Sequence, residues 1–257
     1  MTENSEKTKP PIRLKTRDRL SEESGTNPPL EGQSAGGSRS VMNTWLGLPG
    51  MARLLMAAVV LLSVVLLGIG RLERPVRATG PEQVCPLPGD ELLKEPIGSV
   101  THAITIRRPP REVWPWLVQM GSGRAGWYSY DFIDNGGRRS TQEILPQFQH
   151  VSAGDVFPAL PKATDVFVVL QDERERSLVL GWRLADGTLM TTWAFVLREV
   201  GGDTRLIVRG RVGRAYRPYG LPTWAAIRIG RLAHFIMERK QMLGIKERAE
   251  RAGVGAG

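Results

Sequence analysis

Residues 54–70 (LLMAAVVLLSVVLLGIG) run for 17 residues without a charge, and Ser63 is their only polar member. At the rise of an α-helix this run spans roughly 26 Å, close to a hydrocarbon core of ~30 Å. A helix in a soluble core keeps a polar face, and this one has none. The run is therefore expected to cross a membrane, with residues 51–71 forming the anchor. A cleaved secretory signal is the rival reading, with Arg53 as the basic flank and Val76-Arg77-Ala78 as the cleavage site. The run is longer than a usual signal core, and Arg71-Leu72-Glu73-Arg74 separates it from that site, so an uncleaved single-pass anchor is preferred. Arg39 and Arg53 precede the run, while Arg71, Arg74 and Arg77 follow it, nearly a tie under the positive-inside rule. The working expectation is a cell-membrane protein whose soluble domain leans to the cytoplasmic side.

The flanks of the run differ. Residues 1–50 are rich in Pro, Gly, Ser, Thr and charge and poor in large apolar groups, which predicts a disordered arm. Residues 72–97 carry five prolines and read as an irregular tether. Residues 98–252 are long enough for one core. The net charge of +9 suits either nucleic acid or anionic lipid, but no nucleic-acid reading motif accompanies it. The expected partners are therefore membrane lipid and a hydrophobic small molecule, not nucleic acid. A lone Cys85 forms no intramolecular disulfide, and His102, His150 and His234 share no ligand spacing. Neither a metal nor a cofactor is expected.

Periodicity defines the soluble part. Residues 101–106 alternate as a first strand, and Pro110 suits the first turn of a short helix over 113–118 that is distorted near Pro115. Ser140 and Glu143 have capping-box spacing before Ile144. Strands are predicted over 166–170, 177–182, 189–197 and 204–212, with Asp186-Gly187 and Gly201-Gly202-Asp203 as turns. In the last strand Leu206, Val208, Gly210 and Val212 alternate with Arg205, Ile207, Arg209 and Arg211, one face packed and one wet. Those arginines are read either as a solvated face or as a contact with anionic headgroups. A long helix closes the chain, with Ala225, Ile229, Leu232, Ile236 and Leu243 on one stripe. Strands grouped apart from helices indicate an α+β fold. A sheet wrapped around one long helix leaves room for an apolar ligand.

Gly121-Ser122-Gly123-Arg124-Ala125-Gly126 matches G-x-G-x-x-G. Pro109, Pro110 and Pro115 make a poor central strand before it, and hairpins rather than crossover helices follow it. The glycines are read as a tight turn and not as a dinucleotide loop.

Several blocks resemble a known superfamily in order along residues 85–250. They include Pro88-Gly89-Asp90-Glu91-Leu92, Val113-Trp114-Pro115-Trp116-Leu117-Val118-Gln119-Met120-Gly121, Trp127-Tyr128-Ser129-Tyr130-Asp131, Trp193-Ala194-Phe195 and Met242-Leu243-Gly244-Ile245-Lys246. Together they look like membrane-associated members of the SRPBCC superfamily, the START/Bet v 1-like proteins of polyketide cyclase/dehydrase and lipid-transport type. The resemblance implies a helix-grip fold, a curved antiparallel sheet gripping a long C-terminal helix around a hydrophobic cavity. Candidate ligand-binding residues are Trp116, Gln119, Met120, Trp127, Tyr128, Tyr130, Asp131 and Trp193, aromatics with an apolar body and a polar tip plus a few polar contacts. Asp131 and Tyr128, with Asp134 and Tyr130 beside them, are candidate acid/base groups. Three readings stay open: a tethered carrier or sensor of a lipid or other apolar molecule, favoured; a cyclase- or hydrolase-type enzyme on a polyketide-like or aromatic substrate; and a non-catalytic structural or partner-binding module.

Overall fold

The computed structural model describes residues 58–59, 68, 70–162, 166–214, 216 and 223–252, with backbone alone at 223–227 and 229. The expected arm and nearly all of the expected anchor lie outside the described residues. Among the described residues no helix is long and apolar enough to cross a membrane. Residues 62–257 form one compact unit.

Six strands make one antiparallel sheet: β1 (Gly98–Ile106), β2 (Val156–Pro158), β3 (Val166–Glu173), β4 (Ser177–Arg183), β5 (Leu189–Val200) and β6 (Asp203–Val212), in the order β1-β6-β5-β4-β3-β2. Among the described residues four α-helices accompany it: α1 (Gly80–Val84), α2 (Pro110–Val118), α3 (Asp131–Asp134) and α4 (Thr223–Ala252). The sheet and the long terminal helix fit the helix-grip form of the α+β class. All five predicted strands are present. The β5–β6 hairpin turns through Gly201 and Gly202, both at positive φ, the geometry a two-residue loop demands. In α2, Pro110 occupies the first turn and Pro115 lies inside the helix.

Period-two alternation sorts the sheet into two faces. Ile104, Ile106, Phe195, Leu197, Leu206 and Val208 point inward and meet Trp116 and Leu117 of α2 and Met242, Ile245 and Ala249 of α4. Ala103, Val196 and Ile207 point outward, where Ala78 and Leu87 cover them in a second small core. The segment expected as a tether thus carries α1 and lies on the sheet. The outer face of β6 is correspondingly covered rather than wet. Arg205 forks onto Glu82, with Nε and Nη2 at 2.7 and 2.9 Å from its carboxylate oxygens. Arg209 is buried, and Arg211 meets Asp90 at 3.0 Å. Charge on alternate residues looked like a solvated face; the acids that pair with it lie about 120 residues earlier in the chain.

Two further expectations change. Ser140 caps no helix; its hydroxyl donates to Asp131 and accepts from the Tyr128 amide. The loop ahead of Ile144 is thereby pinned to α3, and only a short 3-10 turn, Pro146–Phe148, follows. On α4, Leu232 and Ile236 of the predicted stripe face outward, and Leu243 is half-buried. The buried set is instead Glu238, Gln241, Met242, Ile245 and Ala249. Two polar residues on the inward face disguised it.

The glycine motif is a turn. Gly121, Gly123 and Gly126 all have positive φ, and Gly121 and Gly126 exchange backbone hydrogen bonds of 3.1 and 3.0 Å. A second glycine matters for packing. A Cβ on Gly244 of α4 would lie 2.4 Å from the Tyr128 carbonyl oxygen and 2.9 Å from its Cβ. Alanine gains about 1 kcal/mol of helix propensity over glycine, but overpacking against a fixed backbone costs about 1–3 kcal/mol. Gly244→Ala is therefore expected to lower stability by roughly 1 kcal/mol in urea unfolding. A higher urea midpoint for the variant would show that the Tyr128 loop yields.

Candidate functional site

Two cavities of about 210 and 220 Å³ lie side by side between the sheet and α4, sharing Phe167, Trp193 and His234 as walls. The first is completed by Val100, Trp182, Val212 and Tyr216, the second by Trp127, Leu160, Met237 and Gln241. Each is smaller than the ~300–1,000 Å³ usual for a small-molecule pocket, and together they enter that range. Aromatic rings make the dividing wall. Trp193 stacks on Trp127 at 5.7 Å between centroids, tilts against Phe167 at 5.5 Å and meets Phe195 at 4.9 Å. Trp127 is held in turn by its indole N–H, which donates to the carbonyls of Pro158 and Ala159.

A polar cluster lies against this wall. Glu238, fully buried on α4, sits 2.6 Å from His234 Nε2 on the same helix and 3.5 Å from His102 Nδ1 on β1. Burial disfavours the Glu238 carboxylate, but the His234 charge and hydrogen bonds from both histidines outweigh it and hold its pKa well below the ordinary range. Burial likewise pushes His234 down, and the Glu238 charge and hydrogen bond overcome that and raise it. Among the described residues, Glu238 Oε1, Gln241 Oε1 and Trp193 Nε1 are buried without a hydrogen-bond partner. Unmade bonds of this kind are costly, so these atoms, with both Asp134 carboxylate oxygens on the same cavity wall, mark a polar spot in an otherwise apolar site.

Asp134 of α3 lines the second cavity. Burial and the neighbouring Asp131 carboxylate raise its pKa to about 6, more than the helix amides and the Ser129 hydroxyl lower it. A carboxyl poised near neutrality in a cavity wall is suited to proton transfer.

The structure scatters the residues named from sequence. Trp127 and Trp193 line the cavities. Trp116, Met120 and Tyr128 are buried in the main core. Gln119 is buried and fully engaged: its amide nitrogen donates to Tyr128 Oη (2.9 Å) and to the Glu143 carbonyl (3.1 Å). Its oxygen accepts from the Leu145 amide (2.8 Å) and from Gln149 (3.1 Å), so it knots the 143–149 loop to α2. Burial raises the Tyr128 pKa further above its ordinary value. Asp131 accepts from the backbone and hydroxyl of Ser140 and serves the turn. Tyr130 is exposed. None of these last six residues lines either cavity.

Sequence reading missed His102, His234, Glu238 and Gln241. The two histidines are 132 positions apart and meet only because α4 lies across β1. The one available signal was local: His234 and Glu238 stand one helical turn apart, the spacing of a side-chain pair. Among the described residues no group of three or more His, Cys, Asp or Glu is placed to hold a metal.

No family model and no curated protein matches the sequence. Solved structures with related chain paths include a Mesorhizobium loti protein (16% identity, 60% of this chain and 98% of that one, TM-score 0.37). CalU16 from Micromonospora echinospora is 17% identical over 61% of this chain and 86% of its own, with a TM-score of 0.29. An HSP90 activator from Plasmodium falciparum is 11% identical over 57% and 96%, with a TM-score of 0.36. None of these likenesses bears on what the chain binds.

Proposed function

We propose that this chain is a membrane-tethered binding protein, a carrier or sensor that holds a largely apolar small molecule between its sheet and α4. The observation that carries the binding half is the pair of cavities walled by Trp127, Phe167 and Trp193. The tether half rests on the uncharged run of residues 54–70. A membrane lipid or another hydrophobe of similar size suits the site, with one polar group to meet the cluster around Glu238.

The test uses the full chain purified in detergent, with native mass spectrometry for co-purifying ligand and displacement of a fluorescent hydrophobic probe by extracted lipids. Trp193→Leu removes the shared aromatic wall and is expected to weaken probe binding about tenfold, ~1.4 kcal/mol. No ligand, and a probe that neither binds nor is displaced, would defeat the reading in favour of a filled structural module.

Asp134 favours a second reading, an enzyme using this carboxyl as its acid/base group on a polyketide-like or aromatic substrate. In that case Asp134→Asn removes turnover while probe binding survives. Turnover that persists in the variant sinks the assignment.

A further inference from the structure

The second cavity has a polar wall as well as an aromatic one. α3 supplies Asp134, and α4 supplies Glu238 and Gln241; the three are 2%, 1% and 2% exposed. The Ser129 hydroxyl, just ahead of α3, donates to the Met237 carbonyl of α4 at 3.0 Å and ties the start of α3 to α4 beside the cavity. Trp127, Phe167 and Leu160 belong to the apolar remainder.

Charge and hydrogen-bonding capacity on the polar wall are unbalanced in one direction. Glu238 Oε2 faces the two histidines, His234 at 2.6 Å and His102 at 3.5 Å. Among the described residues, Glu238 Oε1, Gln241 Oε1 and both Asp134 carboxylate oxygens are buried without a hydrogen-bond partner. With a pKa of about 6, Asp134 is ionised at neutral pH, so all four oxygens are acceptors. Apart from the histidine nitrogens that face Glu238, the unpartnered donor here is Trp193 Nε1, on the wall shared with the first cavity. Glu238 has the His234 charge against it, whereas the charged neighbour of Asp134 is another carboxylate, Asp131. Among the described residues no Lys or Arg lines this cavity.

The complementary ligand follows from that imbalance. A neutral hydrocarbon leaves the acceptors unpaired, and a carboxylate or phosphate adds repulsion. A quaternary ammonium brings the charge without an N–H. A protonated primary amine carries one positive charge and three donors on a small head, and its bonds to carboxylates are of the stronger, charge-assisted kind.

We infer that the second cavity recognises a primary ammonium compound with a small aromatic or alkyl body, its head held by Asp134, Glu238 and Gln241 and its body against Trp127 and Phe167. The inference rests on the ligand-binding reading above and names the chemical class of the ligand.

The test is calorimetric titration of the full chain in nonionic detergent at neutral pH. Four compounds share a phenyl ring and a two-carbon chain: 2-phenylethylamine, 2-phenylethanol, 3-phenylpropionate and trimethyl(2-phenylethyl)ammonium. The amine is expected to bind about tenfold more tightly than each of the others. Asp134→Asn keeps the shape, removes the charge and is expected to erase most of the margin over the alcohol. Gln241→Met removes one acceptor without touching the charge and is expected to narrow that margin about threefold, so the assignment does not depend on the asparagine variant folding. Equal or tighter binding of the alcohol, the acid or the trimethylammonium compound overturns the inference. So does an amine margin that survives both substitutions. The fluorescent hydrophobic probe, added to the same samples, separates this inference from the reading beneath it. A probe that binds while the amine shows no preference defeats the amine assignment alone. If neither the probe nor any of the four compounds binds, the ligand reading fails and the inference falls with it.

Discussion

Replacing Arg209 with methionine is expected to cost the folded domain about 3–5 kcal/mol, the range for breaking a buried charged network from one side. The guanidinium has five N–H donors, and all five are used. Nε donates to Thr101 Oγ1 at 3.0 Å, Nη1 to the Cys85 carbonyl and Asp90 Oδ2 at 2.8 and 2.6 Å, and Nη2 to the carbonyls of Glu82 and Gln83 at 2.8 and 3.0 Å. The side chain is 6% exposed, so little water stands ready to replace it. Methionine keeps most of the stem's packing and leaves three carbonyls and a hydroxyl without their donor. Asp90 keeps a partner in Arg211, which places the loss below a full orphaned-charge penalty. For a unit of this size the change corresponds to a fall in Tm of roughly 10 °C. Hydrogen exchange should quicken across residues 77–92 before the inner core responds. Arg209→Lys, with a point charge and three donors, recovers only a small part. A methionine variant within about 1 kcal/mol of the parent would mean that the covering segment is held by Ala78 and Leu87 and not by the arginine.

The same residue shows what the sequence could and could not disclose. Alternation along 204–212 assigned Leu206 and Val208 to one face and Arg205, Arg209 and Arg211 to the other, and both assignments hold. What periodicity lacks is any information about what lies over a face. The covering segment is rich in proline, without a repeat of period two or 3.6, so it read as a tether. Its acids and carbonyls become partners of β6 only through long-range packing. Local signals fared well where the physics is local: Pro110 at a helix start, Gly201-Gly202 in a two-residue hairpin, the glycine run as a turn.

At the site the limit was different in kind. Aromatic residues were chosen for their chemistry, and chemistry alone does not separate a cavity wall from a core. Trp127 and Trp193 pack against Phe167, at 5.6 and 5.5 Å between centroids, and on another side border the cavities between the sheet and α4. Trp116 and Tyr128 meet edge to face at 6.1 Å and fill their volume. Asp131 was the more conspicuous acid, yet its short bonds to Ser140 spend it on a turn, while Asp134, three residues on, faces the cavity. A three-residue step along one short helix decides this, and only the fixed direction of α3 settles it.

Acidification from pH 5 to pH 2.5 is expected to unfold the domain, and Glu238→Gln is expected to move both limbs of the stability profile. The Arg205 hydrogen bond, against a smaller cost of burial, lowers Glu82 to about 2. Burial opposes the Glu250 charge, but bonds from Lys246 and Arg107 bring it too to about 2. Glu238 is lowered for the reasons already given. Each carboxylate therefore contributes stability that is present above its unfolded value of 4.5 and is lost as pH falls through the folded value. At roughly 2 kcal/mol apiece, three such losses approach the ~5–15 kcal/mol total of an ordinary domain. His234 acts in the opposite sense. Its pKa is raised above 6.5, so its contribution is present below that value and is lost as pH rises through the folded pKa. Glutamine at 238 keeps the shape and removes the charge that faces His234 and His102. Glu82 and Glu250 still fail in acid, so the acid limb becomes shallower without vanishing. The alkaline limb disappears, and burial alone then pulls His234 below 6.5, a change of sign that an NMR titration of its ring protons reads directly. A His234 pKa that stays raised in the glutamine variant would place its partner elsewhere, and a urea midpoint at pH 2.5 equal to that at pH 6 would show that these carboxylates do not hold the fold.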